Sequence, residues 1–306
     1  MYVAIRSERN RHELSGVENL KLIEVDYRNS NQMRGVFREV AKEVNDRPFH
    51  FVIHNAGMTK ASKKGQFMEV NAENTRRLLE VLQDKELQPE RFLLMSSMGS
   101  YGKNLTNNPL TSSSPQCPDT EYGKSKFQAE QYVMQSGIPY TILCPTGVYG
   151  YGDEDYWLSI KCMQKGWSFL SGLAPQKLSF VYVKDVASAV FFLLNHPDAV
   201  GHRYLLSDGN YYLDKDFTKI MSQLLCRRIR EVRIPFPIIK AACFFGDIYT
   251  RLTHKPFTLN SDKSKILCQR NWHCDISPLL TLGFEPQYNL RSGIQEALNL
   301  HHAQSK

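Results

Sequence analysis

The strongest constraint on this chain is its alternation of short apolar runs with amphipathic ones. KLIEV (21–25), FHFVIH (49–54), RFLLMSS (91–97) and YTILCP (140–145) are short, rich in branched and aromatic residues, and read as strands. Between them, the stretch 31–44 puts Met33, Val36, Phe37, Val40, Ala41 and Val44 on one helical face, and 74–83 and 122–135 also read as helices. A strand–helix–strand succession needs a crossover connection, which gives a parallel sheet with helices on both faces. The expected class is therefore α/β. Tyr2 to Ile5 reads as one more buried strand, followed at once by Arg6, Ser7, Arg9 and Arg11.

A polar loop rich in Asn, Ser and Pro spans 103–120, and after Gly150 the rhythm loosens. SFVYV (179–183) and VASAVFFLLNH (186–196) look like a return to the first pattern. Residues 1–150 with about 178–198 are accordingly expected to form one domain. About 151–177 and 199–306 would form a second, smaller α/β domain that binds substrate.

Charge and cysteine usage exclude several function classes. The net charge of +7 is spread thinly apart from Arg227, Arg228, Arg230 and Arg233, which read as a solvated face, so no nucleic-acid partner is expected. Seven cysteines, an odd number without a CxxC pair, indicate neither a disulfide framework nor a metal site and suit a reducing cytoplasm. No signal-peptide pattern opens the chain, and no apolar run reaches the ~18 residues of a membrane span. The most apolar later stretch, IIKAACFFGDIY from 238, is interrupted by Lys240 and Asp247 and reads as a core or interface helix rather than a membrane anchor.

Chemistry concentrates in EYGKSKFQAEQYV. Lys126 follows Tyr122 by four positions, which on a helix stacks the two side chains on one face. An ammonium group near a phenol favours the phenolate and brings a tyrosine toward the working range of a general acid or base. Ser97 ends a core strand, so its hydroxyl is expected at the carboxyl edge of the sheet, where ligands bind. HNAG (54–57) and CPTGVYG (144–150) end neighbouring strands on the same edge.

Together VIHNAG, VNAENTRRLLE, LLMSSMGSYG, YGKSKFQAE, PTGVYG and FVYVKDVASAV, in order over residues 1–196, resemble the extended short-chain dehydrogenase/reductases, the NAD-dependent epimerase/dehydratase family. The tail WHCDISPLLTLGFEPQYNLRSGIQEAL (272–298) is similar to the end of such chains. The resemblance implies a Rossmann-like doubly wound sheet and an enzyme in which hydride passes between nicotinamide and an oxygen-bearing carbon. Tyr122 would be the acid/base. Lys126 would lower its pKa and bind the nicotinamide ribose, and Ser97 would polarise the substrate carbonyl. Asn71, Ala56 and Gly57 would line the cofactor, Pro145 to Val148 the nicotinamide carboxamide, and Asp26 the adenine. The helices at 74–86 and 122–136 would form a homodimer interface. His54, His273 and Cys274 receive no catalytic role.

Two departures from the family pattern matter. Family members open with a strand, a glycine-rich GxxGxxG turn and a helix, and this sequence lacks that unit. The expectation is a shortened enzyme that binds dinucleotide poorly, with a non-catalytic remnant as the alternative. Arg6 and its basic neighbours tilt the cofactor toward NADP over NAD. Leu178 stands where nucleotide-sugar epimerases carry an arginine for the diphosphate, which favours a hydrophobic, steroid-like or aldehyde/ketone substrate; the adjacent Lys177 keeps a nucleotide-sugar epimerase or dehydratase as the alternative.

Overall fold

A computed structural model describes residues 1–5, 14, 16–44, 49–63, 65–253, 257 and 259–304. The strands begin with β1 (Tyr2–Ile5) and β2 (Lys21–Glu24), which pair in parallel with Tyr2 opposite Lys21. Helix α1 (Ser30–Val44) follows, with Met33, Phe37 and Val40 buried at the spacing its sequence requires. β3 (Phe51–His54), α2 (Asn74–Leu82), β4 (Arg91–Met95), α3 (Glu121–Gln135) and β5 (Tyr140–Pro145) continue the alternation.

The main sheet is parallel, in the order β10-β5-β4-β3, where β10 is His202–Leu206. Its two central strands are buried on both faces, which is why their sequences are almost unbroken apolar runs. The period of two then divides them. Phe92, Leu94, Ile142 and Cys144 join the core under α1, α2 and α3, while Leu93 and Leu143 face the opposite core, built on α5 (Val183–Asn195). Helices thus cover both faces, as the alternation requires. Among the described residues β1 pairs with β2 alone and β3 with β4 alone, so the parallel strands form two ladders. Val25 packs in the same core as Phe92, and the Tyr27 and His54 rings lie 5.9 Å apart, so side-chain packing joins the two ladders. The basic cluster at Arg6, Ser7, Arg9 and Arg11 lies outside the described residues.

Between these elements the chain builds a second lobe. It comprises β6 (Gly147–Tyr149), α4 (Glu154–Gln164), β7 (Trp167–Ser171), β8 (Lys177–Leu178) and β9 (Phe180–Tyr182). After α5 and β10 come β11 (Tyr212–Leu213), α6 (Asp214–Leu224), β12 (Arg230–Ile234), α7 (Phe236–Thr253), α8 (Ser261–Leu267), β13 (Asn271–Trp272), α9 (Ser277–Thr281) and α10 (Leu290–Gln304). Its aromatic core gathers Tyr149, Phe180, Tyr182 and Phe217 with Ile294 and Leu298 of α10. β12 pairs with β7 in parallel, and Arg233 of the expected solvated run turns inward to bind Asp214 at 3.0 Å. β10, from beyond residue 198, completes the main sheet through its parallel pairing with β5.

Candidate active site

α3 presents the tyrosine–lysine pair, and its start is defined by local chemistry. Thr120, in extended conformation, caps the helix by accepting from the Gly123 N–H at 2.9 Å. Gly123 lies against the turn Met98–Tyr101 so closely that a Cβ there would sit 2.3 Å from the Gly99 carbonyl oxygen. A Cβ on Gly99 would meet the Tyr122 ring at 3.5 Å, an ordinary packing distance. Gly123 therefore allows the first turn of α3 to lie on the loop that follows β4.

That contact brings Ser97 to Tyr122. The Ser97 oxygen accepts from the Gly99 N–H at 3.1 Å, and the Ser97 hydroxyl lies close enough to the Tyr122 phenol to favour its charged form. Burial pushes the phenol above its ordinary pKa, an effect the nearby Ser97 hydroxyl partly offsets. The edge-on Phe67 ring, 5.9 Å away, contributes to that enclosure. One turn further on, the Lys126 ammonium donates to the Met95 carbonyl at 2.8 Å and is 7% exposed. Burial pushes its pKa down to about 8, partly opposed by Cys144 and Glu130. Burial acts on both members of the pair, in each case against the charged form, whereas the sequence argument considered only their mutual attraction.

The loop after β3 closes the other side. Asn71 lies in the π-helical turn Met68–Glu73. Its Oδ1 accepts from the Met58 N–H at 2.7 Å, and its Nδ2 donates to the Met58 carbonyl at 3.1 Å and the Ser125 hydroxyl at 3.0 Å. Ser125 donates to the Tyr122 carbonyl at 2.7 Å, so one amide side chain ties the Ala56–Gly57 loop to α3. A Cβ on Gly57 would lie 3.0 Å from Asn71 Oδ1 and 3.3 Å from Lys126 Nζ. This side-chain-free wall beside an ammonium group fits the nicotinamide-ribose end of a dinucleotide. Among the described residues there is no glycine-rich strand-to-helix turn to hold the pyrophosphate.

Ser97, Tyr122, Lys126, Asn71 and Gly57 therefore form one constellation. Pro145 ends β5 next to buried Cys144, whose influence reaches both Tyr122 and Lys126; Val148 is half-buried in β6. Asp26 follows β2 on the separate ladder, where its carboxylate accepts from the Arg28 N–H at 3.0 Å. Arg6 lies outside the described residues. His54 is buried with its pKa down to about 3 and acts as a support. Thr75 donates to the Asn71 carbonyl, so the neutral imidazole donates its Nε2–H to the Thr75 hydroxyl at 2.8 Å.

Sequence reasoning missed the layer beneath. Glu130, fully buried, accepts from Ser96 and from Gln116 at 2.8 Å, and its carboxylate lies 2.9 Å from Arg203 Nε of β10. The spacing 122, 126, 130 on one helical face was a signal for Glu130. Nothing local pointed to Arg203.

A model of the NAD dependent epimerase/dehydratase family matches residues 2–207. The chain belongs to that family. Its members are enzymes, and so is this protein. The N-acetyl-α-D-glucosaminyl-diphospho-ditrans,octacis-undecaprenol 4-epimerase of Escherichia coli O157:H7 is 23% identical over 247 residues, covering 78% of this chain and 73% of that protein. The decarboxylating sterol-4-α-carboxylate 3-dehydrogenase of Candida albicans is 20% identical over 297 residues, or 86% of this chain and 79% of its own. Among solved structures, the Bordetella bronchiseptica enzyme WbmG in complex with NAD shares the fold with a TM-score of 0.76 at 17% identity, covering 99% of this chain and 86% of that one.

Proposed function

We propose that the chain catalyses NAD(P)-linked oxidoreduction between an alcohol and a carbonyl on an apolar substrate, with Tyr122 as the acid/base. The observation that carries this reading is the gathering of Ser97, Tyr122 and buried Lys126 beside the bare wall at Gly57. When bound, nicotinamide supplies or accepts the hydride. The chain's own groups move the proton. Burial keeps the Tyr122 phenol protonated at neutral pH, ready to donate to a carbonyl oxygen, and the Ser97 hydroxyl polarises the same oxygen. The phenolate left behind is stabilised by the Lys126 ammonium one turn away. Asn71, Ala56, Gly57, Pro145 and Val148 line the nicotinamide side, Asp26 the adenine, and Arg6 tilts the choice toward NADP.

The apolar substrate is supported by Leu178, which packs beside the aromatic core of the second lobe. Neighbouring Lys177 is already engaged, donating to the Asn107 carbonyl at 3.2 Å and lying over the Tyr211 ring, which weakens its claim as a diphosphate partner. The two relatives named above act, by their names, on a sterol carboxylate and on a sugar diphosphate carried by a polyprenol. The second of these keeps sugar epimerisation as the other reading. A homodimer through α2 and α3, in a reducing cytoplasm, completes the proposal.

The test is NAD(P)H turnover against hydrophobic ketones, sterol ketones and UDP-sugars. Tyr122→Phe should lower turnover by about 10²–10⁴-fold while cofactor binding, followed by fluorescence, is unchanged. Sugar interconversion without net redox change would favour the epimerase. Equal activity of wild type and Tyr122→Phe would refute the assignment of the acid/base.

A further inference from the structure

α7 faces the wrong way for a helix of the core. Its buried positions, Ile239, Cys243 and Gly246, occupy one narrow arc. That arc is firmly seated, because a Cβ on Gly246 would overlap the Leu259 carbonyl at 1.8 Å. The opposite arc carries Ile238, Phe244, Phe245, Ile248, Tyr249 and Leu252, with Phe245 67% and Leu252 77% exposed. Apart from the Tyr249 hydroxyl this arc holds no hydrogen-bonding side chain, whereas a protein interface of similar extent carries several hydrogen bonds. Contiguous exposed apolar surface of this kind marks an interaction site.

Charge borders the apolar arc on one side. Lys240 and Arg251 are exposed, lie on the same edge about 16 Å apart along the axis, and make no ion pair among the described residues. The one acidic residue of the helix, Asp247, is occupied by the N–H and hydroxyl of Ser261. An apolar face bordered on one edge by two exposed cations, which outnumber the single carboxylate beside them, matches the boundary between acyl chains and anionic headgroups.

We infer that α7 docks the protein on an anionic lipid bilayer. The helix lies in the plane of the interface, with Phe244, Phe245 and Leu252 entering the acyl boundary and Lys240 and Arg251 at the headgroup phosphates. No helix among the described residues is long and apolar enough to cross a membrane, so the contact is peripheral. α8 links this surface to the site. It packs on α7; its Asp262 accepts from the Glu121 N–H at 2.7 Å, and its Lys265 donates to the Asp119 carbonyl at 2.7 Å. Docking therefore holds the Tyr122 end of α3 near the bilayer, although the docking itself does not depend on the role of Tyr122.

Cosedimentation with phosphatidylcholine vesicles, with and without phosphatidylglycerol, tests this. The protein should bind the phosphatidylglycerol vesicles, and added salt should weaken binding. Replacing Phe244, Phe245 and Leu252 together with Ser should lower it by at least about tenfold, and Lys240→Glu with Arg251→Glu should abolish the phosphatidylglycerol preference. Circular dichroism checks the fold; if the Ser variant unfolds, the charge-reversed pair decides the question alone. Absence of vesicle binding, or undiminished binding by the charge-reversed pair, overturns the inference. So does sedimentation equilibrium that finds a dimer converted to monomer by the Ser variant, since a second copy would then cover the face.

Discussion

Lys126 places an ammonium group where burial disfavours charge, and the proposed mechanism requires it to stay there. Its pKa, near 8 in the fold against 10.5 for an ordinary lysine, means that the unfolded chain binds more protons between those values. Stability therefore rises as pH climbs from about 8 to 10.5, and below pH 8 the full cost, on the order of 3 kcal/mol, is present. Lys126→Met is expected to raise the melting temperature at pH 7 by roughly 5 °C while removing turnover. Wild-type turnover should decline with an apparent pKa near 8 as the ammonium is lost. A thermal scan and a pH–rate profile check both; a variant that melts lower, or a flat profile, would contradict the account. At this scale the sequence offered Tyr122, Lys126 and Ser97 as candidates, because their types and spacing suit acid–base chemistry, and the fold brings the three together. Burial is a property of the folded neighbours, so the direction of each pKa shift was not legible.

Single elements divide into those whose sequence contains its own reason and those that depend on a partner. β4 and β5 were legible because a strand buried on both faces must be apolar throughout. The two-residue strands β8, β11 and β13 were not, since they exist through pairing with distant segments. α3 combines both cases. Its period and Thr120 cap are local, but its position depends on Gly123 meeting Gly99. Gly123→Ala should displace the helix start from the Met98–Tyr101 turn, costing about 1–3 kcal/mol and lowering turnover more than cofactor affinity. Chemical denaturation and steady-state kinetics on that variant read the two effects, and an Ala variant with unchanged kinetics would remove the requirement for the close approach. α7 was expected in a core or an interface. Its apolar residues surround most of the helix, so periodicity could not say which face turns outward.

Across the whole molecule, the site rests on contacts between segments far apart in the chain. Arg203 of β10 reaches Glu130 of α3 and lies over the Tyr101 ring, joining the strand farthest from the described first ladder to the helix that carries Tyr122. Arg203→Leu leaves a buried carboxylate without its cation and should cost about 3–5 kcal/mol. Arg203→Leu with Glu130→Leu should recover part of that loss. Urea unfolding of the single and double variants decides it, and a double variant less stable than the sum of both singles would count against a shared buried pair.

What the sequence determined by itself was the α/β class, the parallel strands and which groups are candidates for the chemistry, because hydrophobic period and side-chain chemistry are local properties. Tertiary structure alone decided that Asn71 ties the Gly57 loop to α3, that burial governs Tyr122 and Lys126, that Arg203 supports Glu130, and that the apolar arc of α7 faces outward. Each of these is a long-range contact or its absence. The same local pattern is compatible with several such arrangements, and only the packed chain selects one.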